Sequence, residues 1–285
     1  ADVILVGGSR LAPNDTNNEL LIDPARQRLI QIDIEPRNTG WSYPVEISLV
    51  GDAKAVLRQL LQMAGEGLQS RERQLATDRL QERKRAEHFF ENPTLYSDAV
   101  PIMPQRLVKE LNAVLDPETI VTLDAGSNRV WMAHYFKTKA PGTMLVPGGL
   151  AGMGWGAPAV VGAKLVHPDR PVVSVSGDGG FSMSVHVIAT AVQYKLPVVF
   201  VVMNNSALSM IATGDFGGDS PAAFNDTDFA AIARGFGAEG VRVHNPSDIG
   251  DAVREALKRG LPTVVDVITE GGESLKSITS DVTVG

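Results

Sequence analysis

Between residues 171 and 205 two apolar, β-branched runs are joined through a glycine-rich turn, and few folds can accommodate that arrangement. Pro171-Val172-Val173-Ser174-Val175-Ser176 empties into Gly177-Asp178-Gly179-Gly180, a helical pattern follows from Phe181 to Tyr194, and Leu196 to Met203 form a second run that ends in Asn204-Asn205. Runs of this length and composition read as buried strands. A strand, a helix of ten or more residues and another strand form a crossover, which pairs the two strands in parallel.

The alternation continues, with strand-like runs at 119–123, 239–243 and 262–268 separated by helical patterns. This is the signature of an α/β domain, a parallel sheet flanked by helices, and not of a sandwich or bundle. Nearer the start, residues 1–7 and 29–34 suit strands, and Asp52 precedes Val56, Leu57, Leu60 and Leu61 at helical spacing. Two strands and one or two helices cannot cover both faces of a parallel sheet, so residues 1–62 read as half of a Rossmann-like domain, with a part upstream missing. Residues 63–95 are charge-dense, with Arg71-Glu72-Arg73 and Gln81-Glu82-Arg83-Lys84-Arg85, and read as a solvated linker helix. Residues 96–285 are the second domain.

A formal net charge of -7 is unsuited to holding nucleic-acid phosphates, and the basic stretch of the linker is interleaved with Glu66, Glu72, Glu82, Glu87 and Glu91. No apolar run reaches a membrane span, and the absence of cysteine removes disulfides and thiolate metal sites. The start, Ala1 to Val6, lacks a basic leader and reads as the inside of a domain. A cytoplasmic protein with a small-molecule partner is expected. The five histidines are dispersed without paired metal-ligand spacing.

Ligands of open parallel sheets bind at the carboxyl ends of the strands, where Gly177-Asp178-Gly179-Gly180 lies. Glycines let backbone approach an anion, and the helix that follows offers unpaired N–H groups. An aspartate beside phosphate is repelled unless a cation intervenes, so the layout asks for a divalent metal. An adjacent strand ending in Asn204-Asn205 would add amide oxygen, a ligand type that suits magnesium. Alone, a Gly-Asp-Gly turn or an Asn-Asn pair is a commonplace loop; their joint placement around a strand, helix and strand carries the weight.

That constellation resembles the thiamine-diphosphate-dependent enzymes of the acetolactate synthase and benzoylformate decarboxylase family. Residues 148–159, Gly148-Gly149-Leu150-Ala151-Gly152-Met153-Gly154-Trp155-Gly156-Ala157-Pro158-Ala159, extend the likeness, which covers essentially all of 96–270. Ala1 to Arg10 and Ile32-Asp33-Ile34-Glu35-Pro36 through Val50-Gly51-Asp52-Ala53 resemble the second half of that family's central domain. The resemblance implies that residues 96–285 form the domain binding thiamine diphosphate and magnesium. Asp178, the Asn205 side chain and the Ala207 carbonyl would be the metal ligands, with Asn204 in support. Ser127, Asn128, Gly177 and the N–H groups of Gly179, Gly180 and Phe181 would meet the diphosphate. The Ala151 carbonyl and Met153 N–H would bind the pyrimidine edge, and the Met153 side chain would hold the cofactor bent. The family often has glycine where this chain has Ala207, which matters only if that position needs positive φ.

The resemblance further implies action on 2-oxo acids or 1,2-diketones by decarboxylation, carboligation or C–C cleavage, with Leu208, Ser209 and Ile211 on the substrate side. Ser206 to Ile211 departs from the family's Tyr-Gly pattern, the downstream Gln-Trp of biosynthetic acetolactate synthases is absent, and Ala212 to Asp219 is small and acidic instead. The activating glutamate would come from an N-terminal pyrimidine-binding domain absent from this chain, so the chain alone should not be catalytic. A homodimer or homotetramer is expected of the complete enzyme. FAD is a candidate second cofactor, because Gly8-Ser9-Arg10-Leu11 and Asp33 resemble flavin-contacting segments, although an Asp-Asp-Arg expected beyond them is missing. A catalytically silent relative that binds the cofactor in a structural or regulatory role is the alternative from another class. A nicotinamide enzyme is disfavoured, because Gly177-Asp178-Gly179-Gly180 lacks the Gly-x-Gly-x-x-Gly spacing.

Overall fold

The computed structural model describes residues 1–16, 19–64, 71–86, 91–213 and 222–273. The chain divides into two compact units, Ala1–Glu87 and His88–Gly285.

In the first unit β1 (Val3–Gly7), β2 (Arg28–Asp33) and β3 (Ile47–Val50) pair in parallel in that order. The third strand was not legible in the sequence, because four residues without flanking alternation give no period. One sheet face closes on a small core of Val6, Ile22, Leu29 and Tyr43. On the opposite face Val3, Leu5 and Ile47 remain exposed, as expected of half a two-sided sheet. Asp52 opens α1 (Ala53–Ala64) as anticipated, its Oδ1 accepting the Ala55 N–H at 2.9 Å. No residue of α1 is fully buried: Val56 and Leu60 are partly covered, while Leu57 and Leu61 are exposed. The charge-dense stretch forms α2 (Arg71–Ala86), whose described side chains are almost all exposed. Residues 65–70 and 87–90 of the expected linker lie outside the described residues.

The second unit runs α3 (Pro104–Val114), β4 (Ile120–Leu123), α4 (Ser127–Tyr135), β5 (Met144–Leu145), α5 (Gly156–Val166), β6 (Val172–Gly177), α6 (Asp178–Ser184), α7 (Val187–Gln193), β7 (Val199–Asn204), α8 (Ser209–Ala212), α9 (Phe229–Gly235), β8 (Glu239–Val243), α10 (Ile249–Arg259) and β9 (Thr263–Ile268). Its six strands are parallel, in the order β5-β4-β6-β7-β9-β8. The period of two sends Val121, Leu123, Val173, Val175, Val199, Val201 and Val265 to one face, under α3, α4 and α10. Ile120, Val172, Phe200, Val202 and Val264 go to the other, under α5, α6, α7 and α9. Both faces are covered, which explains the near-continuous apolar strands.

Two elements depart most from the sequence reading. The expected helix over 181–194 is two helices, beginning at Asp178 and broken at Val185–His186, where Ile188 and Ala189 donate to carbonyls three residues back. Strand β7 starts at Val199, three residues into its apolar run: Pro197 has no N–H to give, and the Leu196 N–H is spent on the Ala191 carbonyl at 2.9 Å.

Strand order also determines where a ligand can sit. From β4 the chain crosses through α4 to the outer strand β5, whereas from the neighbouring β6 it crosses on the opposite face through α6 and α7 to β7. The two connections diverge, leaving a crevice outside the carboxyl ends of β4 and β6.

Candidate cofactor site

A cleft of about 550 Å³ occupies that crevice. Its walls include Ser127 and Asn128 after β4, Ala151 and Met153 from the glycine-rich segment, Gly177, Asp178, Gly179 and Gly180 after β6, and Asn205, Ala207, Leu208, Ser209 and Ile211 after β7. Of the residues singled out from sequence for this site, the supporting Asn204 and Phe181 are not on the wall. The Phe181 ring is fully buried, packing against Phe200 and Phe229 at centroid distances of 5.7 and 5.5 Å. Only its main chain could serve a ligand.

Asp178 is 2% exposed. Its Oδ1 accepts the Gly179 N–H at 2.7 Å and its Oδ2 the Asn205 N–H at 2.9 Å. Burial dominates its titration and raises its pKa, opposed by these amides and those of Ser206 and Ala207. No described lysine or arginine forms an ion pair with it. A buried carboxylate held by neutral donors alone is short of a cation.

The turn after β7 supplies further oxygens. Asn205 Oδ1 accepts the Ala207 N–H at 3.2 Å, and its Nδ2 donates to Ser209 Oγ. Ala207 bridges Ala223 in antiparallel fashion, with the ladder bonds made by the flanking Ser206 carbonyl and Leu208 N–H. The Ala207 carbonyl is therefore outside the ladder. The left-handed residue of this turn is Ser206, at φ 57°, while Ala207 is not left-handed, so alanine there needs no glycine-like backbone. Asn204 supports from below, its Nδ2 donating to the Thr227 carbonyl at 2.8 Å and to Asp266 Oδ1 at 2.9 Å. No cluster of three or more His, Cys, Asp or Glu occurs among the described residues. A metal here would rely on one carboxylate plus amide and main-chain oxygens, a hard donor set that suits magnesium.

Around the Gly179-Gly180 turn space is tight. A Cβ on Gly180 would lie 2.6 Å from Asp124 Oδ2, and one on Gly179 would lie 3.4 Å from Met153 Cε. Met153, 38% exposed, thus reaches across to the turn after β6. Its segment is bent through left-handed backbone at Gly149, Ala151 and Gly154, and Ala151 at φ 51° adopts a conformation L-residues seldom hold without support. Asn128 is not a free donor. Its Nδ2 gives both protons to main-chain carbonyls, those of Asp124 and Val175, each at 3.1 Å, and so splints β4 to β6. From residue 214 onward the small acidic stretch lies outside the described residues.

Some cleft residues were missed. Asp124, Arg129, Thr269, Glu270 and Glu273 belong to the site or its wall. Asp124 carried a signal, since it directly follows β4 ahead of Gly126 as Asp178 directly follows β6 ahead of Gly179; the others carried none. In the first unit, Asp33 Oδ1 is spent on the Glu35 N–H and Asn38 Nδ2, at 2.9 and 3.2 Å. Gln31 is likewise tied to the Ser9 and Asn38 carbonyls and the Gly40 N–H.

Residues 124–267 match the model described as the thiamine pyrophosphate enzyme C-terminal TPP binding domain, and residues 1–60 that of the thiamine pyrophosphate enzyme central domain. The chain belongs to the thiamine pyrophosphate enzymes. Their TPP binding domain begins here at Asp124, just after β4, and ends at Val267 in β9, spanning most of the cleft. Among curated relatives, the probable acetolactate synthase large subunit of Methanocaldococcus jannaschii is 35% identical over 294 residues, covering 97% of this chain and 48% of that protein. The putative thiamine pyrophosphate-containing protein YdaP of Bacillus subtilis is 34% identical over 248 residues, 84% of this chain and 42% of that protein. The acetolactate synthase isozyme 3 large subunit of Escherichia coli is 30% identical over 283 residues, 96% and 49% respectively. The chain spans about half the length of these relatives. No helix among the described residues is long and apolar enough to cross a membrane.

Proposed function

We propose that this chain is the central and C-terminal portion of a thiamine-diphosphate- and magnesium-dependent enzyme acting on 2-oxo acids or 1,2-diketones by decarboxylation, carboligation or C–C cleavage. The observation that carries the magnesium reading is Asp178, buried, raised in pKa by that burial and held only by amides, beside the Asn205 side chain and an Ala207 carbonyl left outside its ladder. These three residues hold the metal. The Ser127 hydroxyl and the N–H groups of Gly179, Gly180 and Phe181 take the diphosphate, while Asn128 braces the strands beneath. The Ala151 carbonyl and Met153 N–H would receive the pyrimidine edge, and the Met153 side chain, which reaches toward Gly179, would pack against the bound cofactor. Once bound, the cofactor supplies a carbon nucleophile and an electron sink for the carbonyl substrate. Leu208, Ser209 and Ile211 shape the substrate side.

The relatives' names support acetolactate-type condensation of 2-oxo acids, and their length supports a second half that contributes the activating glutamate across a homodimer or homotetramer interface. We place that enzyme in the cytoplasm. FAD stays outside this reading: Asp33 of the flavin-like segment has its Oδ1 spent on the Glu35 N–H and Asn38 Nδ2. Calorimetric titration with thiamine diphosphate, with and without magnesium, tests the site. Saturable binding that needs magnesium and is lost in Asp178→Ala supports it, and metal-independent binding unchanged in the variant refutes it. Assay of the full-length protein on a 2-oxo-acid panel then identifies the reaction.

A further inference from the structure

Asp124 is fully buried, and its carboxylate touches segments far apart in sequence. Oδ1 accepts the Ala125 N–H at 2.7 Å and the Trp155 N–H at 3.1 Å; Oδ2 accepts the Gly154 N–H at 3.1 Å. The same Oδ2 stands where a Cβ on Gly180 would come within 2.6 Å, and the Asp124 main-chain N and its Cβ lie 2.9 and 3.0 Å from a Cβ built on Gly156. Its main-chain carbonyl accepts from Asn128. One side chain thus joins the turn after β4, the 149–156 segment and the first turn of α6, and the contacts differ in kind. Toward Gly154 and Trp155 they are hydrogen bonds to a charge-bearing acceptor; toward Gly180 the contact is steric.

We infer that Asp124 is a positioning residue that sets the distance between the diphosphate half of the site and the segment carrying Ala151 and Met153. The inference rests on the cofactor reading above. The Ala151–Gly154 backbone is left-handed at both ends and needs external support to hold that shape. The Asp124 carboxylate supplies that support at Gly154 and Trp155, immediately after Met153. Asparagine at 124 keeps the volume, and so the contact with Gly180. Because it replaces one acceptor oxygen by a donor, at least one N–H in this set faces a donor and loses its partner. The diphosphate turn keeps its own bonds, which run from Asp178 to Gly179 and Asn205.

The test separates the two halves of the ligand. In the full-length protein, with magnesium present, affinities for thiamine diphosphate and for inorganic pyrophosphate are measured for the native sequence and for Asp124→Asn. We expect thiamine diphosphate to weaken by about tenfold or more, the scale of one lost charge-assisted hydrogen bond, and pyrophosphate to change less than about threefold. Equal losses of both ligands, or no loss of either, would overturn the positioning role. Should Asp124→Asn fail to fold, Gly154→Ala displaces the same N–H from the other side, at a left-handed position where its Cβ would lie 3.1 Å from Met183 Cβ, and must show the same split. If the native protein binds neither ligand with magnesium, the cofactor reading itself falls and takes this inference with it.

Discussion

Asp266 offers a test of the electrostatics beneath the site. It is fully buried in β9, where Oδ1 accepts from Asn204 Nδ2 at 2.9 Å and Oδ2 from the Phe229 N–H at 3.1 Å, with Arg242 Nε 3.5 Å away. Burial outweighs these partners and raises its carboxyl from the ordinary 3.8 to about 6. The folded state therefore holds this proton over a pH range in which the unfolded chain has released it. Stability contributed by the protonated group is fully present below pH 3.8 and is lost as pH rises through about 6. The full displacement corresponds to about 3 kcal/mol, most of which falls between about pH 4 and about pH 7. Asp266→Asn cannot ionise. It lowers the baseline through one mismatched hydrogen bond but removes this pH dependence. Urea unfolding followed through Trp131, which is 2% exposed in the same unit, gives both curves. Asp124 and Asp178, also raised by burial, titrate in both proteins and cancel in the difference. A native-minus-variant stability gap that stays constant over that range would refute the reasoning.

Removing the Asp178 charge should separate stability from binding. Asp178→Asn removes a buried charge but mismatches one of the two amides it accepts, so the metal-free protein should change by less than about 1 kcal/mol at about pH 8 in thermal melts, while magnesium-dependent uptake of thiamine diphosphate is abolished. Gly240→Ala places a Cβ 2.1 Å from the Ala230 carbonyl oxygen, a main-chain atom that cannot swing aside. It should cost about 3 kcal/mol in chemical denaturation, whereas a loss under about 0.5 kcal/mol would mean that α9 rides loosely on β8. Phe181→Ala empties the centre of the Phe200 and Phe229 cluster and should cost about 3–5 kcal/mol, as read by the urea midpoint.

What was legible in the sequence was local. The strand before Gly177, the turn through Asp178 and the strand into Asn205 are contiguous, and each announces itself by composition, so the parallel sheet and its ligand-bearing edge could be read directly. What was hidden depends on contacts between distant segments. Asp124 gains its role from Gly154, Trp155 and Gly180, and no spacing rule connects those positions. Asn128 looked like a ligand residue, but the β4–β6 pairing turns its amide protons inward to two carbonyls. β5 has two residues and could never show a period. The break at Val185–His186 is likewise a tertiary outcome, since both residues keep right-handed helical backbone.

The two units differ in how much apolar material holds their strands. β1, β2 and β3 lean on a cluster of four buried side chains, whereas β6, β7 and β9 are sandwiched between two large cores. Local opening is cheapest where few apolar contacts must be broken. Amide protons of the first sheet should therefore trade with deuterated solvent well before those of Val173, Val201 and Val265. The slowest-exchanging backbone in the protein should be the strands whose ends carry Asp178 and Asn205, so that the cofactor site is mounted on the part of the molecule that opens last.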